Sequence, residues 1–205
     1  MRLETPISKD TVKNLKVGDI VYLNGIIYTG RDEAHIIILK ENMKNIGEDN
    51  SNSGNDNIVK KLKNGVIYHA GPIMKKENNK WKCIAIGPTT SARMNEVEVE
   101  FIKITGISAI IGKGGMKTEL LNVFKKYGVV YLAAPGGCAA LLANSVIDVK
   151  GVYHPELGMP EAIWELEVKD FGPLMVAMDS NGNSIYEEVN KRVLENLKML
   201  KAKIN

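Results

Sequence analysis

Four short runs rich in β-branched and apolar residues, at 66–69, 83–86, 107–111 and 129–133, each lead into a stretch bearing glycine or proline. Helical patterns at 90–102 and 116–127 separate the last three runs. Strands that alternate with helices bury their apolar groups by layering, so the pattern predicts an α/β fold. The second helix should end at Gly128, a residue type that accepts the left-handed conformation of a C-terminal cap. The charge-free stretch 129–147 has the length of a membrane span, but Pro135, Gly136 and Gly137 would break a helix in its middle. It reads as a buried strand followed by a short buried helix.

Upstream, residues 8–15 read as a short helix capped by Ser8 and stopped before Gly18. Two β-rich runs at 20–23 and 26–29 enclose Asn24-Gly25, a hairpin signal. The apolar run 36–39 continues as a helix into residues 41–57, where Asn, Ser, Gly and Asp dominate and a flexible surface loop is expected. Downstream, strands at 164–168 and 174–178 should be joined by a turn over 170–173. In the final helix Ser184 and Glu187 have capping-box spacing, and Val189, Val193, Leu197 and Leu200 form an apolar stripe.

A chain of 205 residues, 44% apolar and 25% charged, has the composition of a globular protein with one substantial core, so one domain over 1–205 is expected. The net charge of +3 is spread along the chain without a basic run, which gives a nucleic-acid surface no support and suits a small anionic ligand better. Residues 1–10 carry charges and no apolar stretch, so a secretory signal is excluded and a cytoplasmic location expected. The two cysteines, Cys83 and Cys138, lie in apolar surroundings far apart in sequence and read as small buried side chains, with no zinc spacing and too few thiolates for an iron–sulfur cluster. No metal ligand is assigned to the chain.

Five segments carry chemistry. Gly87-Pro88-Thr89-Thr90-Ser91-Ala92-Arg93-Met94 stands where a strand ends and a helix begins, and it offers free backbone N–H groups, three hydroxyls and a guanidinium to a carboxylate or phosphate. A helix cap with a solvated Arg93 explains the same residues equally well. Gly112-Lys113-Gly114-Gly115 lets backbone approach a ligand while Lys113 projects a charge, but it lacks the Walker spacing and alone reads as a tight turn. In Thr29-Gly30-Arg31-Asp32-Glu33-Ala34-His35, Arg31 could bind a carboxylate with Asp32 steadying its guanidinium, or the two could form a surface pair. His35 reads as a structural histidine. His69-Ala70-Gly71-Pro72 and Pro135-Gly136-Gly137-Cys138-Ala139-Ala140 close two further strands, and one pocket at the carboxyl ends of strands would explain all five exits together. His154 and Glu156 read as surface groups.

Taken in order, these segments resemble the β subunit of two-subunit class I fumarases and L-tartrate dehydratases, equivalent to the C-terminal domain of the single-chain enzymes. The resemblance implies a swivelling β/β/α domain of three layers with mixed sheets. It also implies a partner α subunit, in a heterodimer or heterotetramer, whose cysteines hold a [4Fe–4S] cluster. The implied activity is reversible hydration of fumarate to L-malate, inactive without that partner. L-Tartrate dehydration, or dicarboxylate binding by the chain alone, are the alternatives. Carried over by position, Arg31, Arg93 and Lys113 bind the substrate carboxylates, with Lys113 also catalytic, and Thr89 is the general base with Thr90 beside it. Cations fit that role, because proton loss next to a carboxylate pushes negative charge onto its oxygens. A threonine hydroxyl is a weak base, so the role of Thr89 rests on the resemblance.

Overall fold

A computed structural model describes residues 1–45 and 55–204. The first half of the chain forms β1 (Arg2–Glu4), α1 (Lys9–Asn14), β2 (Ile20–Thr29), α2 (Asp32–Asn45), α3 (Asn55–Leu62), β3 (Val66–Tyr68), β4 (Ile73–Glu77) and β5 (Lys80–Ala85). The second half forms α4 (Glu98–Thr105), β6 (Ala109–Gly112), α5 (Leu120–Tyr127), β7 (Val130–Ala133), α6 (Ala139–Ala143), β8 (Val146–Tyr153), β9 (Ile163–Met178) and α7 (Ile185–Ile204). Short 3-10 turns occupy Ser91–Met94 and Pro155–Leu157.

Consecutive residues of the central strands face two different cores. Val66, Tyr68, Ala109, Ile111, Val130 and Leu132 join one buried cluster, whereas Ile67, Ile110 and Tyr131 join another. Because side chains alternate across a strand, a strand covered on both faces must be apolar throughout, which is why 66–68 and 109–111 read as unbroken runs. The second cluster packs under α2 to α5, with Ile38, Leu62, Phe101, Ile102, Leu120 and Phe124.

The strands lie in the order β1-β2-β3-β6-β7-β9-β8, with β1, β2, β3, β6 and β7 parallel. β9 runs antiparallel to β7 and β8 and also pairs with β2, so the sheet closes into a mixed barrel with helices packed on it. β4 and β5 form a separate hairpin. Lys9 ties the amino end to this frame. Its Nζ donates to the carbonyls of Gly106, Ile107 and Gly128 at 3.2, 2.6 and 3.2 Å, next to the left-handed caps that end α4 and α5. Among the described residues no helix is long and apolar enough to cross a membrane.

Several expectations change. Asn24-Gly25 is not a hairpin: β2 runs through it, and the register against β9 shifts there. Gly25 has φ 97°, and a Cβ on it would lie 2.6 Å from Thr5 Oγ1, so its glycine serves a bulge and a close approach. The expected turn at 170–173 is a kink inside one long strand, with Asp170 left-handed at φ 51°. The helix expected over 90–102 is a 3-10 turn followed by α4, and the one expected over 116–127 is shorter, as α5. The loop expected at 41–57 is helical at both ends, up to Asn45 and from Asn55, and 46–54 lie outside the described residues. The stripe of α7 is exposed at Val189, Val193, Leu197 and Leu200, and Glu187 accepts from Thr118 at 2.5 Å on another element. Cys138 is half-buried, and α6 exposes Leu141, so that helix is only partly covered.

Ser8 does cap α1, accepting from the Thr11 N–H at 3.1 Å. Phe124, fully buried on α5, anchors the outer core. Phe124→Ala should cost about 3–5 kcal/mol in a denaturant titration, and Lys125→Ala beside it less than about 0.5 kcal/mol.

Candidate functional site

Because β2, β3 and β6 are parallel neighbours, their carboxyl ends deliver 29–31, 69–71 and 112–115 to one edge of the barrel. Backbone bonds weld the fourth segment between them. The Thr89 N–H donates to the His69 carbonyl at 2.6 Å, Lys113 N–H to the Thr89 carbonyl at 3.3 Å, and Ser91 N–H to the Lys113 carbonyl at 3.1 Å. Isolated bridges pair Ala70 with Pro88 and Thr90 with Lys113. Thr89 is half-buried, while Thr90 and Lys113 are exposed, and Lys113 makes no ion pair with a described residue.

The arginines reach the same edge through different partners from those expected. Asp32 does not hold Arg31. It takes Arg93 in a bidentate pair, Nε to Oδ1 at 3.1 Å and Nη2 to Oδ2 at 2.5 Å. Arg31 lies 3.1 Å from Glu161, whose other oxygen accepts from the Glu33 N–H at the start of α2. Asp32 is spent on Arg93 because the 88–94 segment crosses in front of the α2 amino end, a tertiary contact that sequence spacing does not reveal. Gly71 leaves room for the Arg31 guanidinium, since a Cβ there would lie 2.8 Å from Nη1 and 2.7 Å from the Pro160 carbonyl. The segments that bear Arg31, Thr89, Thr90, Arg93 and Lys113 therefore meet at one edge, with 89, 90 and 113 joined by backbone bonds, Arg93 joined to α2 through Asp32, and Arg31 held separately by Glu161.

Directly beneath lies a cluster that the sequence did not disclose. His35, His69 and Glu98 have no exposure at all, and the Glu98 Oε2 is 3.6 Å from His35 Nε2 and 3.5 Å from His69 Nε2. Burial pushes the Glu98 carboxyl up to about 8 and pulls His35 down to about 4, while burial and then the neighbouring His35 hold His69 well below its usual value. In the chain alone, all three are thus uncharged at neutral pH. In sequence Glu98 looks like an ordinary first-turn helix acid. Its place between His35 and His69 is set by the packing of α4 against α2. His154, expected at the surface, is instead largely covered, 3.0 Å from Glu156 and 3.4 Å from Glu41.

The thiols do not fit a [4Fe–4S] cluster. There are two in the sequence, and burial pushes Cys83 up to about 11 and Cys138 upward as well, away from the thiolate form that iron needs.

The profile of the fumarase C-terminus family matches residues 1–189. The chain belongs to that family. A protein of Methanocaldococcus jannaschii, provisionally named as an L(+)-tartrate dehydratase subunit beta, is 66% identical over 195 residues, covering 95% of each chain. The L(+)-tartrate dehydratase subunit beta of Escherichia coli is 38% identical across 94% of this chain and 90% of its own. A Geobacillus stearothermophilus protein, provisionally named a class I fumarate hydratase, is 42% identical over 97% of this chain, which spans 36% of that longer protein. The chain is thus a β-type member of the fumarase and tartrate dehydratase family, whose named relatives are hydro-lyases.

In this family member Gly112 is set by Ser91, because a Cβ would run into the buried Ser91 Oγ and come within 3.0 Å of Tyr131 Oη. Gly112→Ala should destabilise by about 1–3 kcal/mol, read as a lowered midpoint in chemical denaturation. An unchanged midpoint would show that the Ser91 segment yields freely.

Proposed function

We propose that this chain is the β subunit of a hydro-lyase that reversibly hydrates fumarate to L-malate, with Arg31, Arg93 and Lys113 binding carboxylates and Thr89, flanked by Thr90, at the position of proton transfer. The observation that supports it best is the gathering of those residues at the carboxyl ends of three parallel strands. The reading includes one swivelling β/β/α domain over 1–205 and a partner α subunit, in a heterodimer or heterotetramer, that carries the [4Fe–4S] cluster in the cytoplasm. Names of relatives that end in "subunit beta" support the partner.

Loss of a proton from the carbon beside a carboxylate places charge on its oxygens, and cations brought against them stabilise that charge more than the ground state. Arg93 enters the site with Nε and Nη2 already held by Asp32, so it presents its remaining donors in a fixed plane. Lys113 is exposed and its backbone is bonded to that of Thr89, so its ammonium is within reach of a developing alkoxide there and would lower its cost.

L-Tartrate dehydration to oxaloacetate is the second reading, favoured by the names of the 66% and 38% identical relatives. Anaerobic assay of the complex reconstituted with its α subunit should show turnover of fumarate. Turnover of L-tartrate alone assigns the second reading, and dicarboxylate binding by the chain without any partner or turnover would overturn both. Lys113→Met and Arg93→Met should each lower kcat/KM about 100-fold or more without loss of the complex. Thr89→Val should lower kcat while leaving KM near its original value, with Thr89→Ser retaining part of the rate. Equal rates for valine and serine variants would remove Thr89 from proton transfer.

A further inference from the structure

We propose that the sealed triad His35, His69 and Glu98 binds one first-row divalent transition-metal ion, of the zinc or iron(II) class, as a brace between α2, the exit of β3 and α4. Each residue offers one ligand atom, and these atoms lie within 4.8 Å of one another. The proposal does not depend on the proposed function, since it concerns residues on this chain that touch no substrate.

Hydrogen-bond accounting carries the assignment. His35 Nδ1 lies 2.7 Å from the Arg31 carbonyl, which can only accept, so the neutral ring keeps its proton on Nδ1 and turns a bare Nε2 lone pair towards Glu98. His69 Nδ1 lies 2.8 Å from Ser91 Oγ, which itself accepts from the Tyr131 hydroxyl at 3.0 Å. Both rings are thus anchored through Nδ1: the Arg31 carbonyl fixes the His35 tautomer, while Ser91 Oγ can either donate to His69 Nδ1 or accept from it, and metal binding selects the second arrangement, which bares Nε2. What remains has no partner: both Nε2 atoms and both Glu98 oxygens are buried without a hydrogen bond among the described residues. Orphaned groups of this kind cost about 1–3 kcal/mol each, and one ion among the three that face one another, Glu98 Oε2 and the two Nε2 atoms, would satisfy them together.

Spacing and chemistry select the guest. The two edges to Glu98 Oε2, 3.5 and 3.6 Å, are long for hydrogen bonds and close to the roughly 3.3–3.4 Å edges of a tetrahedral ion with bonds of about 2.0–2.1 Å, while the imidazole–imidazole edge, bounded at 4.8 Å, closes to that length on binding. Two imidazoles and a carboxylate, without thiolate, favour zinc or iron(II) over copper(I), and calcium and magnesium prefer all-oxygen sites. The complete burial of all three ligands keeps substrate away, which makes the site structural. Its effect reaches the edge above through the Arg31 and His69 carbonyls and through Ser91, all of which fix the segments bearing Arg31, Thr89 and Arg93.

The test uses the full chain purified without its partner, so that no cluster iron interferes, stripped by chelator and titrated with Zn²⁺ or Co²⁺. One equivalent should bind and raise the thermal midpoint. The cobalt form should show intense tetrahedral absorption in the visible, without the near-ultraviolet band of thiolate ligation. Glu98→Gln should weaken binding at least 10-fold, and Ser91→Ala, which spares every ligand, should weaken it about 10–100-fold. If Glu98→Gln fails to fold, the wild-type titration and Ser91→Ala decide. A stripped wild-type chain that neither binds either ion nor gains stability overturns the proposal, as does cobalt bound through thiolates. An infrared band of a protonated carboxyl, present in zinc-saturated wild type and absent from Glu98→Gln, would show that a proton occupies the place assigned to the ion.

Discussion

The double burial of the parallel strands governs everything else in this protein. Val66 and Tyr68 turn to one core while Ile67 between them turns to the other, and the same division holds across Ala109, Ile110 and Ile111. Mid-strand positions are given over to packing, with Tyr131 reaching out only through its hydroxyl to Ser91, so polar groups gather where the strands stop. Parallel direction then puts those stops on the same side. The clustering of Arg31, Thr89, Arg93 and Lys113 is a by-product of how the core is filled.

The same logic explains what could be read from the sequence. Runs such as 66–69, 107–111 and 129–133 were legible because covering both faces erases any polar alternation, and Gly128 was legible as a cap because only the left-handed region fits there. Asn24-Gly25 misled because a bulge and a two-residue turn draw on the same residues, and the contact with Thr5 that separates them is not local. Asp170 to Pro173 misled for a related reason: turn-forming residues can bend a strand without reversing it when both halves stay paired, here with β2 throughout. The stripe on α7 had helical spacing, yet it faces outward, since spacing fixes a face and says nothing about what lies against it.

Of the candidate site, the residue types were legible and their pairings were not. Arg31 and Asp32 are adjacent in sequence, but Asp32 serves Arg93 and Arg31 serves Glu161, because the chain folds Pro160 and Glu161 over the α2 amino end. Glu98 gave no signal, since a glutamate in the first turn of a helix is ordinarily solvated and favourable there. Its complete burial among two histidines appears only once α4 is packed against α2 and α3. Family membership and geometry meet at this point: the motifs by which this sequence resembles the family supply the edge, and buried groups pack directly beneath it.

The pairing of β2 with β9 also constrains how the protein is made. Val21 bonds opposite Leu174 and Tyr28 opposite Glu165, so the ring of strands is shut by partners from opposite ends of the chain. On a ribosome, Val21, Leu23 and Ile27 emerge early but cannot reach their β9 partners Leu174, Phe171 and Leu166 until most of the polypeptide has been synthesised. Nascent β2 can pair early with β1 and then with β3, but its edge towards β9 stays open until residues 163–178 follow, and an open apolar edge is a site for capture by chaperones or by other copies of the chain.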